Sequence, residues 1–194
     1  MSVRVRMEKL ARKILGQCAR INEKNAEKFM RALLAAERIF VHGAGRSGMV
    51  ARAFAMRLMH LGFNVYVVGE TITPAIRKGD LFVAVSGSGR TSSVCMVARV
   101  AKQKNARVVA ITSNLESELG RSADFVVHTP GRVPYRASSD YDARQLVGER
   151  EPLAPLGTLF ELTAMVFLDA VVEELMVRKN KNEKEMRMKH TDLE

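Results

Sequence analysis

Residues 81–92 read Leu81-Phe82-Val83-Ala84-Val85-Ser86-Gly87-Ser88-Gly89-Arg90-Thr91-Ser92. An unbroken apolar run stops at a cluster of glycines and hydroxyl residues, and a helical pattern over Thr91–Lys104 follows. An apolar run without polar alternation marks a strand buried on both faces, as in a parallel sheet covered by helices. The same grammar recurs upstream, where the apolar Arg38–His42 runs into Gly43-Ala44-Gly45-Arg46-Ser47-Gly48 and a helix over Ser47–Leu61. Gly62 closes that helix as a C-terminal cap.

Working outward, Asn64–Val68 reads as a β-branched strand, Thr71–Arg77 with Pro74 as a loop or short helix, and Arg107–Thr112 as a further strand. Leu115–Arg121 reads as a short helix and Asp124–His128 as the last strand. Before the first strand, Leu10, Ile14, Cys18, Ile21, Phe29 and Leu33 recur at helical spacing, so residues 4–36 read as one helix. Residues 129–155 are irregular and hold four of the five prolines. A final helix covers 156–178, and 179–194 is a charged tail. The expected architecture is one domain over 1–194 with its α/β core at 37–128. It is a doubly wound, three-layer αβα sandwich around a five-stranded parallel sheet. Ligands of such sheets sit beyond the carboxyl ends of the strands, which singles out the loops 42–48, 69–75, 86–92 and 112–115.

The loop at 86–92 suits a phosphate monoester. Backbone N–H groups at a helix start attract an anion, and Ser86, Ser88 and Thr91 add hydroxyl donors. Gly87 and Gly89 let the backbone come close, and Arg90 adds charge. Helix capping would need one such hydroxyl, not three. Read literally, the loop at 43–48 is GxGxxG, and Glu70 lies at the spacing of a ribose-binding acid, so a dinucleotide reading stands beside it. Gly45, Arg46 and Ser47 could otherwise hold sugar hydroxyls or a developing oxyanion. No Walker A motif, HExxH pattern or Cys/His cluster is present, so neither triphosphate hydrolysis nor a metal site is implied.

The formal net charge of +10 favours anionic ligands. The basic residues are dispersed over helix faces rather than gathered in a block, and a single helix before the sheet leaves no room for a helix-turn-helix unit, so no nucleic-acid partner is expected. Cys18 and Cys95 lack a CxxC context and read as reduced packing residues. The basic N-terminus has no apolar signal core, and the longest apolar run, Thr163–Val172, is interrupted by Asp169. A cytoplasmic protein without a membrane partner is the expectation.

The strings VHGAGRSG (41–48) and SGSGRTSSV (86–94) resemble the SIS (sugar isomerase) domain family. MRLMHLGFNVYVVGETITPAI (56–76) and PLGTLFELTA (155–164) are similar to its 6-phospho-3-hexuloisomerases, a resemblance spanning residues 5–178. It implies a flavodoxin-like sheet and cofactor-free interconversion of D-arabino-3-hexulose 6-phosphate and D-fructose 6-phosphate, a step of the ribulose monophosphate pathway. It also implies a homotetramer.

Moving a carbonyl from C3 to C2 needs one base that removes the C2 proton and returns a proton to C3 through a 2,3-enediol. Glu161 is the candidate, at the start of the final helix among Leu156, Leu159, Phe160 and Leu162, with the family's PLGTxFE string in support. Glu70, Glu149 and Glu151 are weaker choices. His60 is a candidate proton shuttle for ring opening, or a favourable charge at a helix end. His42 could contact substrate or pack; His128 and His190 read as structural. Two alternatives stay open: another aldose–ketose sugar-phosphate isomerase of the same family, and a non-catalytic sugar-phosphate sensor.

Overall fold

The computed structural model describes residues 2–131 and 158–187. The chain runs α1 (Val3–Cys18), α2 (Glu23–Ala35), β1 (Ile39–Gly43), α3 (Gly45–His60), β2 (Val65–Val67), β3 (Leu81–Val85), α4 (Ser92–Gln103), β4 (Arg107–Thr112), α5 (Glu118–Ser122), β5 (Phe125–His128), α6 (Thr158–Arg178) and α7 (Glu183–Arg187). The five strands pair in the order β2-β1-β3-β4-β5, and every pairing is parallel. This is the doubly wound arrangement expected from the apolar strand runs.

The strands are apolar throughout because successive side chains serve different layers. Ile39, Val41, Val83, Val85, Val109 and Ile111 pack against α2, α3 and α6. Phe40, Phe82, Ala84, Val108 and Ala110 point the other way, onto α4 and Leu119 of α5. The residues of β3 are all buried, as a central strand covered on both faces must be.

One expectation needs correction. The helix predicted over 4–36 is two helices. The Asn22 side chain accepts from the Asn25 amide at 3.1 Å, starting α2 and stopping the earlier turn. Of the loop or short helix expected over Thr71–Arg77, the structure has the loop. Within the charged tail, Asn182 and Glu185 satisfy each other's backbone amides at 3.0 Å and build α7. The predicted irregular segment lies, from residue 132 to 155, outside the described residues, as do Leu156, Glu149, Glu151 and His190.

Helix ends at the amino edge of the sheet share one device. After α3, Gly62 takes φ +83°, its amide donates to the Met59 carbonyl at 2.9 Å and the Phe63 amide to Leu58 at 3.0 Å. Asn105 after α4 and Asn180 after α6 do the same with φ of 59° and 51°. These are Schellman closures, which satisfy carbonyls the helix leaves orphaned.

The same edge is pinned by a buried ion pair. Asp80 is 1% exposed. It accepts from Arg38 through both carboxylate oxygens, at 2.9 and 2.6 Å, and from the Arg77 amide at 2.7 Å. Removing one partner of a buried pair leaves the other uncompensated, a loss of about 3–5 kcal/mol. We expect Arg38→Met to lower unfolding free energy by that order in urea titration. A loss under about 1 kcal/mol would show that Asp80 finds other solvation.

Candidate active site

Gly43 is the register partner of Val85. The two glycine-bearing loops therefore leave adjacent strands at the same level and face one another across β1 and β3. In a sheet ordered 2-1-3-4-5, this is where the connections diverge to opposite faces, and the gap between them is the natural ligand crevice.

The first loop turns directly into α3. Gly45 has φ +54°, and the N-cap residue Ala44 offers no side-chain bond to the first turn. Arg46 projects from that turn and is half exposed, with Ser47, half-buried, beside it. Across the crevice, the first turn of α6 carries Glu161, which is 8% exposed. Arg46 Nε donates to the Glu161 carboxylate. Two candidate residues 115 positions apart in the chain are thus in direct contact.

The second loop is built more tightly than its sequence implies. Ser86 and Thr91 are buried, and their hydroxyls lie 3.2 Å apart. The Gly89 amide donates to Ser86 Oγ at 3.1 Å, and the Arg90 amide to Ser88 Oγ at 3.3 Å. Between Ser86 and Thr91 one O–H is given to the other hydroxyl, which leaves one hydroxyl hydrogen for a further acceptor. The three hydroxyls therefore do not all face outward. Two of them hold the loop's shape, and Ser88 is only half-buried. Thr91 is the N-cap of α4 but makes no side-chain cap bond, so its hydroxyl serves the loop and not the helix. Arg90 is exposed at the rim.

The role expected of the glycines also changes. A Cβ on Gly87 would lie 2.8 Å from Phe160 Cδ1, and one on Gly89 would lie 2.0 Å from Ser117 Oγ. Their Cα hydrogens face protein side chains, not an open approach to a ligand. Packing of α6 and of the α5 cap against the loop is what excludes a side chain there. The loop is further tied to its neighbours where the Ser113 and Leu119 amides donate to the Gly87 and Gly89 carbonyls at 3.2 and 3.0 Å. Sequence reading named the 112–115 loop but not Ser117. Its signal was the N-cap pattern before Glu118.

His60 is not brought to this place within one chain. It ends α3, about 22 Å along the axis from Gly45 at a rise of ~1.5 Å per residue, and it is buried at 5% exposure. A crossover helix returns to the amino edge of a parallel sheet, so its last residue stands opposite the ligand loops. Glu70 is ion-paired with Arg52 of α3, both partners half exposed. His128 Nε2 contacts the Ser113 carbonyl at 3.2 Å, a structural contact. Among the described residues, no group of three or more His, Cys, Asp or Glu could hold a metal ion, and no helix is long and apolar enough to cross a membrane.

The SIS domain family model matches residues 32–139. The chain belongs to the SIS family. Two relatives extend the match beyond the SIS core. A 3-hexulose-6-phosphate isomerase of Bacillus subtilis is 40% identical over 91% of this chain and 90% of that protein. One from Methanocaldococcus jannaschii is 42% identical over 83% of this chain and 79% of its own length. A crystal structure of a Methanococcus jannaschii protein, for which a 3-hexulose-6-phosphate isomerase function has been inferred, superposes with TM-score 0.79 at 37% identity. It covers 97% of this chain and 99% of that one. The SIS fold is thus shared with these proteins.

One histidine at the crevice edge has a titration consequence. His42, near the end of β1, has its Nε2 buried without a hydrogen-bond partner among the described residues. Burial pushes its pKa below the ordinary 6.5; a backbone hydrogen bond with Val68 opposes this, and the charge of Arg52 adds to it. Below pH ~6.5 the unfolded chain takes up the proton that the folded chain resists. The stability linked to neutral His42 is therefore complete above that pH and is lost progressively beneath it. We expect the melting temperature to fall between pH ~7.5 and ~5.5, and His42→Gln to remove part of that fall. An identical pH dependence in the variant would overturn the assignment.

Proposed function

We propose that this SIS protein interconverts D-arabino-3-hexulose 6-phosphate and D-fructose 6-phosphate, without metal or redox cofactor. The observation that carries the reading is the position of Glu161. This buried carboxylate faces Arg46 across the mouth of the two loops, and the relatives named for this activity match the chain along most of its length.

In this reading, the sugar phosphate enters with its dianion at the start of α4. There the helix dipole and the spare hydroxyl hydrogen of the Ser86–Thr91 pair receive it, with Arg90 at the rim. Arg46 moves from Glu161 to the substrate's C3 oxygen. Glu161 takes the proton from C2, and the electron pair of that C–H bond becomes the C2–C3 double bond while the C3 oxygen gains charge. Arg46 and the N–H groups at the start of α3 stabilise that oxygen until it is protonated. The O2 hydroxyl then gives up its proton, the C2 carbonyl forms, and a proton returns to C3 from Glu161. Oxidation level passes from one carbon to its neighbour, so the reaction balances without an external oxidant. Fixing both ends of the substrate keeps C2 and C3 near the carboxylate. The same reading assigns the enzyme to the cytoplasm and to the ribulose monophosphate pathway.

The homotetramer is proposed on surface grounds. α1 buries no residue, and Val3, Met7 and Leu15 are exposed at 73%, 64% and 73% on a helix that also carries Arg4, Arg6, Lys9, Arg12 and Lys13. A groove of about 510 Å³ between the α1–α2 elbow and α6 is apolar at Ile21, Met30 and Phe167, with Glu23 beside it and with Glu27 and Glu174 both paired to Arg178. The exposed apolar side chains of α1 from a second copy complement that apolar lining. Leu15→Asp should then lower the mass measured by light scattering; an unchanged mass would remove α1 from the interface.

Proton NMR of fructose 6-phosphate with the protein in D₂O and EDTA tests the chemistry. Solvent deuterium should appear at C3. Exchange at C1 would instead assign a 1,2-isomerase on the same scaffold, and no exchange would refute isomerase action on this sugar. Glu161→Gln should slow C3 exchange by about 10²–10⁴-fold, while fructose 6-phosphate still raises the melting temperature. Retained exchange would acquit Glu161.

A further inference from the structure

We propose that Phe160 is the positioning residue that sets Glu161 against Arg46, using the bare backbone at Gly87 and Gly131 as its seat. The inference rests on the isomerase reading for its kinetic consequence, but its structural half does not.

Phe160 is 2% exposed. The contact with Gly87 is broad, since a Cβ there would meet three ring atoms, Cδ1, Cγ and Cε1, at 2.8, 3.0 and 3.3 Å. On the other side, a Cβ on Gly131 would lie 2.7 Å from both the Cα and the amide nitrogen of Phe160. The residue is therefore clasped between the loop after β3 and the segment after β5. Neither glycine has room for a methyl group while Phe160 keeps its place.

The seat itself is fixed. The Gly87 carbonyl accepts from the Ser113 amide and from Thr112 Oγ1, at 3.2 and 3.4 Å, so the surface under the ring is fastened to the end of β4. Further along α6, Ala164, Phe167 and Leu168 bury against the main core and hold the helix to the sheet. Phe160 supplies the three atoms nearest to a Cβ placed on Gly87. Glu161 follows it by about 100° of helical rotation, so a ring pressed on the loop directs the neighbouring carboxylate toward α3. The ring thereby couples the place where the anion binds to the place where the proton moves. A displacement of about 1 Å at the reacting groups can cost ~10²-fold in rate.

The test uses Phe160→Leu and Gly87→Ala, singly and together, with wild-type turnover of fructose 6-phosphate as reference. Phe160→Leu should lower kcat by about 10- to 100-fold and change KM far less, at a temperature where the variant is fully folded. Gly87→Ala should impair turnover too, because the added methyl displaces the ring. In the double variant the methyl occupies volume the ring has left, and kcat should exceed that of either single variant by about fivefold or more. A merely structural Phe160 would lower the melting temperature, leave kcat of the folded protein intact and combine additively with Gly87→Ala; that result would overturn the proposal. A second readout is independent of activity. The coupling between Arg46 and Glu161, from urea denaturation of Arg46→Met, Glu161→Gln and their combination, should be present with Phe160 and lost in Phe160→Leu. Coupling that persists in Phe160→Leu refutes positioning even if the chain proves not to be an isomerase, whereas missing wild-type turnover with coupling lost refutes the isomerase reading alone.

Discussion

The register of β1 with β3 is the constraint on which the site depends. Parallel pairing sets Gly43 beside Val85, so two loops that are remote in sequence begin at the same height on neighbouring strands. From there the chain is committed to opposite layers, α3 on one face and α4 on the other. Two helix N-termini thereby converge on one crevice, each without a side-chain cap. Positive electrostatic potential at that crevice follows from backbone geometry before any arginine is counted.

Onto this frame α6 adds the carboxylate. A buried acid paired with a guanidinium from the first turn of α3 has a partner for its charge, which is how Glu161 can sit at 8% exposure without the cost of an isolated buried charge.

Much of this was legible in the sequence because the physics is local. Leu81–Val85 and Arg107–Thr112 could be delimited to the residue, since an unbroken apolar run has few other uses. The doubly wound order followed from five such runs separated by helices, and the ligand loops followed from the order. What escaped was set by neighbours in space. The break at Asn22 was hidden by an apolar stripe that continues on both sides of it. The purpose of Gly87 and Gly89 was misread because Phe160 and Ser117, which occupy the room beside them, are distant in sequence. Within one chain His60 stands at the opposite edge, where the direction of a crossover helix places it.

The Schellman closures and the Arg38–Asp80 pair all lie at that opposite edge. The molecule thus separates its labour along the strand direction, with anchoring at one pole and chemistry at the other. Such polarity makes the scaffold evolvable. Substitutions at the ligand loops can retarget the reaction without loosening the anchors, and the anchors can be hardened for hotter habitats without disturbing the carboxylate. A lineage built on this plan can diversify its substrates and its temperature range as nearly independent traits.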